Sequence, residues 1–206
     1  MDTATTRSQL VAHAQRLIQQ RGYNGFSYRD LAALVGIKTA SIHYHFPQKE
    51  DLLLAAVHAY QQQWHAAIAT IDPALPAGQR LRLYLDLHRR TFAGTDRVCL
   101  GGALAADLGS LPPLVRQAVQ AFYRANEQWL ADVIAEGARD GSLAPHARPR
   151  ALARSLFAAV QGCLAASRLF GDGHRMDDIL EGLAGAPEAP EGGDPEPAHT
   201  RRAVAA

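Results

Sequence analysis

The run Lys38-Thr39-Ala40-Ser41-Ile42-His43-Tyr44-His45-Phe46 places small, hydroxyl and aromatic side chains around one aliphatic residue, Ile42. On a helix whose buried face is Ile42, the residues Thr39, Ala40, Ser41, His43 and Tyr44 point outward. Short donors and acceptors on an unburied helix suit the base edges of a DNA major groove, where bulky apolar groups would be neither buried nor hydrogen-bonded. His43 and His45 stand two apart and face different sides, so a shared metal is not expected; ligand pairs on a helix sit three or four apart. A second feature is Cys99, two residues after Arg97. A thiol at a helix start beside a cation is favoured as thiolate, although a free cysteine is equally a small buried hydrophobe. The chain has no phosphate-binding loop, dinucleotide glycine fingerprint or nucleophile elbow, so an enzyme is not expected, and no cofactor is implied.

The elements that would position these residues are helical almost throughout. Leu10, Ala14, Leu17 and Ile18 form an apolar stripe closed by Gly22. Ser27, with Asp30 three residues on, reads as the N-cap of a short helix carrying Leu31, Ala32, Leu34 and Val35 and closed by Gly36. A third short helix covers roughly Thr39 to His45 and stops at Phe46-Pro47. Leu31, Val35, Ile37 and Ile42 would face inward, making a helix-turn-helix from Phe26 to Phe46. Neither short helix is long enough to be stable alone, so both must pack on the first. Lys49 to about Ile71 reads as a long fourth helix. Amphipathic helices then follow from Gln79 to Phe92, Val98 to Leu108, Leu114 to Arg139, Pro149 to Phe170 and Met176 to Leu183. The fold class expected is all-α.

The 206 residues are 48% hydrophobic and 20% charged, an ordinary globular balance. Met1 to Glu50 carries six Lys or Arg against three Asp or Glu, and the remainder fifteen against seventeen. A basic N-terminal module on a slightly acidic body fits a partner with phosphates. Two cysteines make no disulfide framework, no apolar run approaches a membrane span, and no signal peptide is read at the start, so a cytoplasmic location is expected. From Gly185 onward Ala, Pro, Glu and Gly dominate, and 185–206 is expected to be a disordered tail.

Gly22-Tyr23, Ser27, Asp30-Leu31-Ala32, Gly36-Ile37, the run Ala40 to Phe46, and Lys49-Glu50-Asp51-Leu52 together strongly resemble the TetR family of bacterial transcriptional regulators. The resemblance implies a DNA-binding domain over 1–48 and a larger ligand-binding and dimerisation domain over 49–184. It implies double-stranded operator DNA as partner, a homodimer, and a repressor released by a small-molecule inducer. The competing reading is a helical ligand-binding or interaction protein without sequence-specific DNA binding. By resemblance, Tyr28 and Arg29 reach backbone and a flanking base, Lys38, Thr39, Ala40, Ser41 and His43 line the reading face, and Tyr44, His45 and Lys49 hold phosphates. Lys38 stands where the family usually has a capping Ser, so Thr39 caps instead or the helix starts loosely; His43 stands where Tyr is usual.

For the inducer, the resemblance points to Leu83, Leu87, His88, Phe92, Cys99, Leu104, Leu108, Phe122, Tyr123, Asn126 and Trp129. Stripes of Leu and aromatic residues also serve as plain packing; His88 and Asn126 are informative only if buried. The stretch around Cys99 is similar to family members that sense electrophiles or oxidants through one cysteine, which makes thiol modification an alternative trigger. The dimer interface is expected on Leu152, Leu156, Val160, Cys163 and Leu164 of one long helix with Ile179 and Leu183 of the last.

Overall fold

A computed structural model describes residues 3–92, 95–173 and 175–183. Every regular element among them is helical: α1 (Thr3–Arg21), α2 (Tyr28–Val35), α3 (Thr39–His45), α4 (Lys49–Ala69), α5 (Ala77–Phe92), α6 (Leu100–Ala106), a 3-10 turn (Leu108–Ser110), α7 (Pro113–Asp140), α8 (Pro149–Phe170) and α9 (Arg175–Leu183). The tail from 185 lies outside the described residues. Among those described, no helix is long and apolar enough to cross a membrane.

Local sequence explains the boundaries. Gly22 and Gly36 both adopt left-handed φ of 73°, ending α1 and α2 where a side chain would be strained. Ser27 and Asp30 form a reciprocal cap: the Asp30 carboxylate accepts from the Ser27 N–H at 2.8 Å, and Ser27 Oγ accepts from the Asp30 N–H at 3.4 Å. The start of α3 has no such aid, since Lys38 precedes it in extended conformation without a side-chain cap. Proline opens α7 and α8, where its missing N–H is not needed.

Two apolar cores run through the molecule. The first gathers Leu10, Leu17 and Ile18 of α1, Leu31 of α2, Ile42 and Phe46 of the third-helix segment, and Leu52, Leu53 and Val57 of α4; it continues into Leu100, Leu104, Val115 and Val119. The second joins Trp64, Tyr84, Leu85, Phe122, Leu130, Ile134, Leu156, Phe157, Val160 and Leu164 across α4, α5, α7 and α8. The first core therefore does not end near residue 48. The N-terminal helices share it with α6 and the first turns of α7.

Candidate nucleic-acid interface

The outer face of α3 is bare. Thr39, Ala40, Ser41 and His43 are exposed, Tyr44 is 78% exposed, and His45 is half-buried. Ile42, fully buried, ties the helix to the first core. Leu31 is likewise fully buried, while Val35 and Ile37 are partly buried against the same cluster and Leu34 is left exposed. Lys38 and Arg29 are exposed beside this face. The His43 ring approaches the Pro47 carbonyl with Nδ1 at 3.3 Å and lies edge-on to Tyr28. A convex row of short polar groups, with little of its own to bond, fits insertion into a groove.

Two expected contacts turn out to be internal. Tyr28 is buried, and its hydroxyl donates to the Phe46 carbonyl at 2.9 Å, closing the end of α3 onto the start of α2. Lys49 does not reach outward from α4. Its ammonium donates to the Tyr23 and Phe26 carbonyls, both at 2.6 Å, and sits over both rings, 4.4 and 4.2 Å from their centroids. It braces the loop between α1 and α2. Partial burial pulls its pKa down, and the charges of Asp30 and Asp107 oppose that shift. The reason lies in the path of the loop, which brings unpaired carbonyls within reach of a side chain that would otherwise find a phosphate. Sequence reasoning passed over Arg7, which is exposed and whose guanidinium lies 4.8 Å from the Phe46 ring centroid, near the end of α3. Only its place on the turn of α1 nearest that ring could have signalled it.

The N-terminal helices are latched to the body on two sides. Asp107, after α6, accepts from the Tyr23 N–H at 2.6 Å, and a β-carbon at Gly22 would come within 2.5 Å of the same carboxylate. Asn24 donates to Ser110 Oγ at 3.0 Å. On the other side, Arg168 of α8 donates to the Gln19 and Gln20 carbonyls at the end of α1 while pairing with Asp96.

Within the body, the eleven inducer candidates scatter. His88, Cys99, Phe122 and Asn126 are buried in the second core, and Leu83, Leu87, Tyr123 and Trp129 are partly buried against it. Leu104 belongs to the first core instead, and Leu108 is half exposed on a surface groove with Leu111, Val119 and Tyr123. The Phe92 side chain lies outside the described residues. Cys99 precedes α6 as its N-cap, but it is buried, with the Tyr60 hydroxyl donating to its sulfur at 3.6 Å. Burial pushes its pKa up, more than the surrounding donors pull it down. The thiolate expected from Arg97 and the helix start is therefore disfavoured, because desolvation outweighs the donors from the Gly101 and Gly102 backbone, Tyr60 and Gln161.

The residues expected at the dimer interface lie largely in or against the protomer's own core. Leu156, Val160 and Leu164 are buried inside the protomer, and Leu152, Cys163 and Ile179 pack at the edge of the same core. The outward face carries Ser155, Ala158, Ala159, Gly162, Ala165 and Leu169. Along the middle of α8 the large apolar side chains lie in the core and the small ones face outward, until Leu169 and Phe170 at its end are exposed. The Leu183 side chain lies outside the described residues.

Comparison with known proteins decides the family. The profile described as "Bacterial regulatory proteins, tetR family" matches residues 10–56, and that described as "Tetracyclin repressor-like, C-terminal domain" matches residues 77–183. The chain belongs to the TetR family. It is a DNA-binding transcriptional regulator. Among its relatives, the HTH-type transcriptional repressor DhaR of Mycobacterium sp. (strain GP1) is 25% identical over 87% of this chain and 91% of its own. A TetR-family regulator from Agrobacterium tumefaciens, solved by crystallography, is 31% identical with a TM-score of 0.84, covering 89% of this chain and 97% of that one. A regulator from Saccharomonospora viridis, crystallised in complex with choline, is 26% identical with a TM-score of 0.73, covering 87% and 94%. The all-helical fold and the helix-turn-helix of this TetR-family chain agree with what its sequence implied.

Proposed function

We propose that this TetR-family regulator is a cytoplasmic homodimeric repressor whose two α3 helices enter successive major-groove faces of an operator. The observation that carries the reading is the bare outer face of α3, with Thr39, Ala40, Ser41 and Tyr44 exposed and Ile42 alone as anchor. Thr39 and Ser41 read base edges; Lys38, Arg29, Tyr44, His45 and Arg7 hold the backbone. The small-residue face of α8, continuing to Leu169, is the surface offered to the second protomer, since small side chains permit close helix approach.

The trigger is a non-covalent small molecule bound among the body helices. The raised pKa and burial of Cys99 weigh against a thiol trigger, and the choline-bound relative supports a ligand-binding body. A shift of α6 would pull on Asp107 and hence on Tyr23, and a shift of α8 would pull on Arg168 and hence on the end of α1. Either alters the spacing of the two α3 helices, which half-sites about one helical turn apart do not tolerate.

The test is binding to the DNA upstream of the protein's own coding region, titrated at several salt concentrations. Steep salt dependence with a discrete protected site is expected for a repressor. Equal affinity for that region and for random DNA would remove the repressor reading, and retention of DNA binding by a demonstrably monomeric protein would remove the dimer.

A further inference from the structure

Against the second core lies a fully buried histidine, His88, whose two ring nitrogens have no hydrogen-bond partner. Around it the polar groups satisfy one another: Asn126 Oδ1 accepts from Trp64 Nε1 at 2.6 Å and from the Tyr84 hydroxyl at 2.8 Å, and Asn126 Nδ2 donates to the Phe122 carbonyl at 2.8 Å. His88 follows Tyr84 by one turn of α5 and is 1% exposed. Its ring centroid is 4.3 Å from that of Trp64, 5.0 Å from Tyr84 and 6.1 Å from Phe157. Neither Nδ1 nor Nε2 has a hydrogen-bond partner. A neutral imidazole carries one donor and one acceptor, and burying both unmet is destabilising. A phenylalanine or leucine would fill this place without that penalty. Packing alone therefore gives no account of a histidine here.

The cluster borders an opening. Asn126 and Trp129 form part of the wall of a cleft of about 460 Å³ that also includes Ile68, Ile71 and Arg80. Trp129 stacks on Tyr84, 5.0 Å between centroids at 19°, and Trp129 is partly exposed while Tyr84 is not. Trp129 therefore touches both the cleft and the ring cluster.

We propose that His88 anchors a small, uncharged, flat apolar molecule bearing a hydroxyl or carbonyl oxygen, which enters from the Trp129 cleft and takes the hydrogen bond that the protein leaves open. The proposal specifies the chemistry of the inducer in the reading above and rests on it for its regulatory consequence. The flat body follows from the rings of Trp64, Tyr84 and Phe157. The absence of charge follows from the depth of burial: the rings offer no formal counter-charge, their faces offset only part of the cost of desolvating a cation, and burial holds the imidazole itself neutral by pulling its pKa down to about 3. Arg80 at the cleft is already paired with Glu136. A carboxylate or ammonium would have to be desolvated here without a counter-charge.

The experiment uses full-length protein, wild type, His88→Phe and His88→Leu, with 4-ethylphenol as the probe. Ethylbenzene tests the apolar body alone, while ionised 4-ethylbenzoate and choline test either charge. Binding is followed by thermal shift and by quenching of tryptophan emission. The unliganded variants are expected to melt at or above the wild-type temperature, because an unmet polar pair has been removed. For 4-ethylphenol the variants are expected to bind at least about tenfold more weakly, the equivalent of one lost hydrogen bond, while ethylbenzene binds wild type and variants alike. Equal 4-ethylphenol affinity in all three proteins, no binding to wild type, or tighter binding of either ion overturns the proposal. DNA release, measured in parallel, separates the two readings. Binding that depends on His88 without release of DNA refutes the inducer reading and leaves the site. Release by a probe that ignores His88 refutes the site and leaves the inducer reading.

Discussion

The reading helix and the aromatic interior hold their polar groups in opposite ways. On α3, Thr39, Ser41, His43 and Tyr44 face solvent, and little of the protein depends on them. In the body, the buried Trp64, Tyr84 and Asn126 side chains bond to one another and to backbone. A polar group at an exposed surface is available to a ligand at little expense in stability. A polar group in the interior belongs to the fold first. Substitutions should therefore separate stability from recognition according to where they fall.

The largest effect is expected at Asn126. Leucine there would strand the Trp64 N–H and the Tyr84 hydroxyl at once, lowering unfolding free energy by about 3 kcal/mol, as measured by urea denaturation at fixed protein concentration. Sequence preference of the folded fraction on DNA should not change. An unaltered stability would mean that the trio is not closed against water. Next comes Lys49. Methionine removes two charge-assisted bonds to the α1–α2 loop, with an expected loss of about 2 kcal/mol. Affinity for every DNA sequence should fall with it, but the slope of log affinity against log salt should stay close to wild type. A slope smaller by about one unit, the mark of a lost phosphate contact, would return Lys49 to the interface.

On the recognition side the pattern reverses. Thr39→Ala and Ser41→Ala should each shift discrimination at one base position by about 1 kcal/mol, read from binding to a randomised half-site library, with melting temperatures unmoved. A melting change without a change in preference would make the α3 face structural. The smallest effect concerns acid. Asp30 has a pKa lowered chiefly by the Ser27 hydroxyl and the Ser27 N–H. Its pKa is lower folded than unfolded, so the cap contributes above the ordinary carboxylate range and is lost as pH falls through the folded value. Asp30→Asn should therefore show a slightly shallower decline of melting temperature on acidification, visible only below about pH 4.

How much of this was legible in the sequence follows the same division. Helix ends were, because Gly22, Gly36, Ser27 and the prolines act locally. So was the outward face of α3, because a short helix with a lone Ile42 has only one face to bury. The direction of Lys49 was not, since it depends on loop carbonyls brought close by tertiary packing. Nor was the face of α8: a stripe of Leu and Val looks the same whether it packs on α7 or on another protomer, and here Leu156, Val160 and Leu164 pack inside. Helical position placed His88 in the body, but only the neighbouring helices reveal that its nitrogens face nothing.

The continuity of the first core across α1, α4, α6 and α7 bears on how such regulators can be recombined. A reading head cut at residue 48 and grafted onto another body would leave Leu10, Leu17 and Ile18 without the α4 and α6 members of the core they share, and its Tyr23 amide would lose Asp107. On the proposed reading of α3, specificity is therefore better moved by exchanging its outward residues in place than by transplanting the N-terminal segment as a cassette.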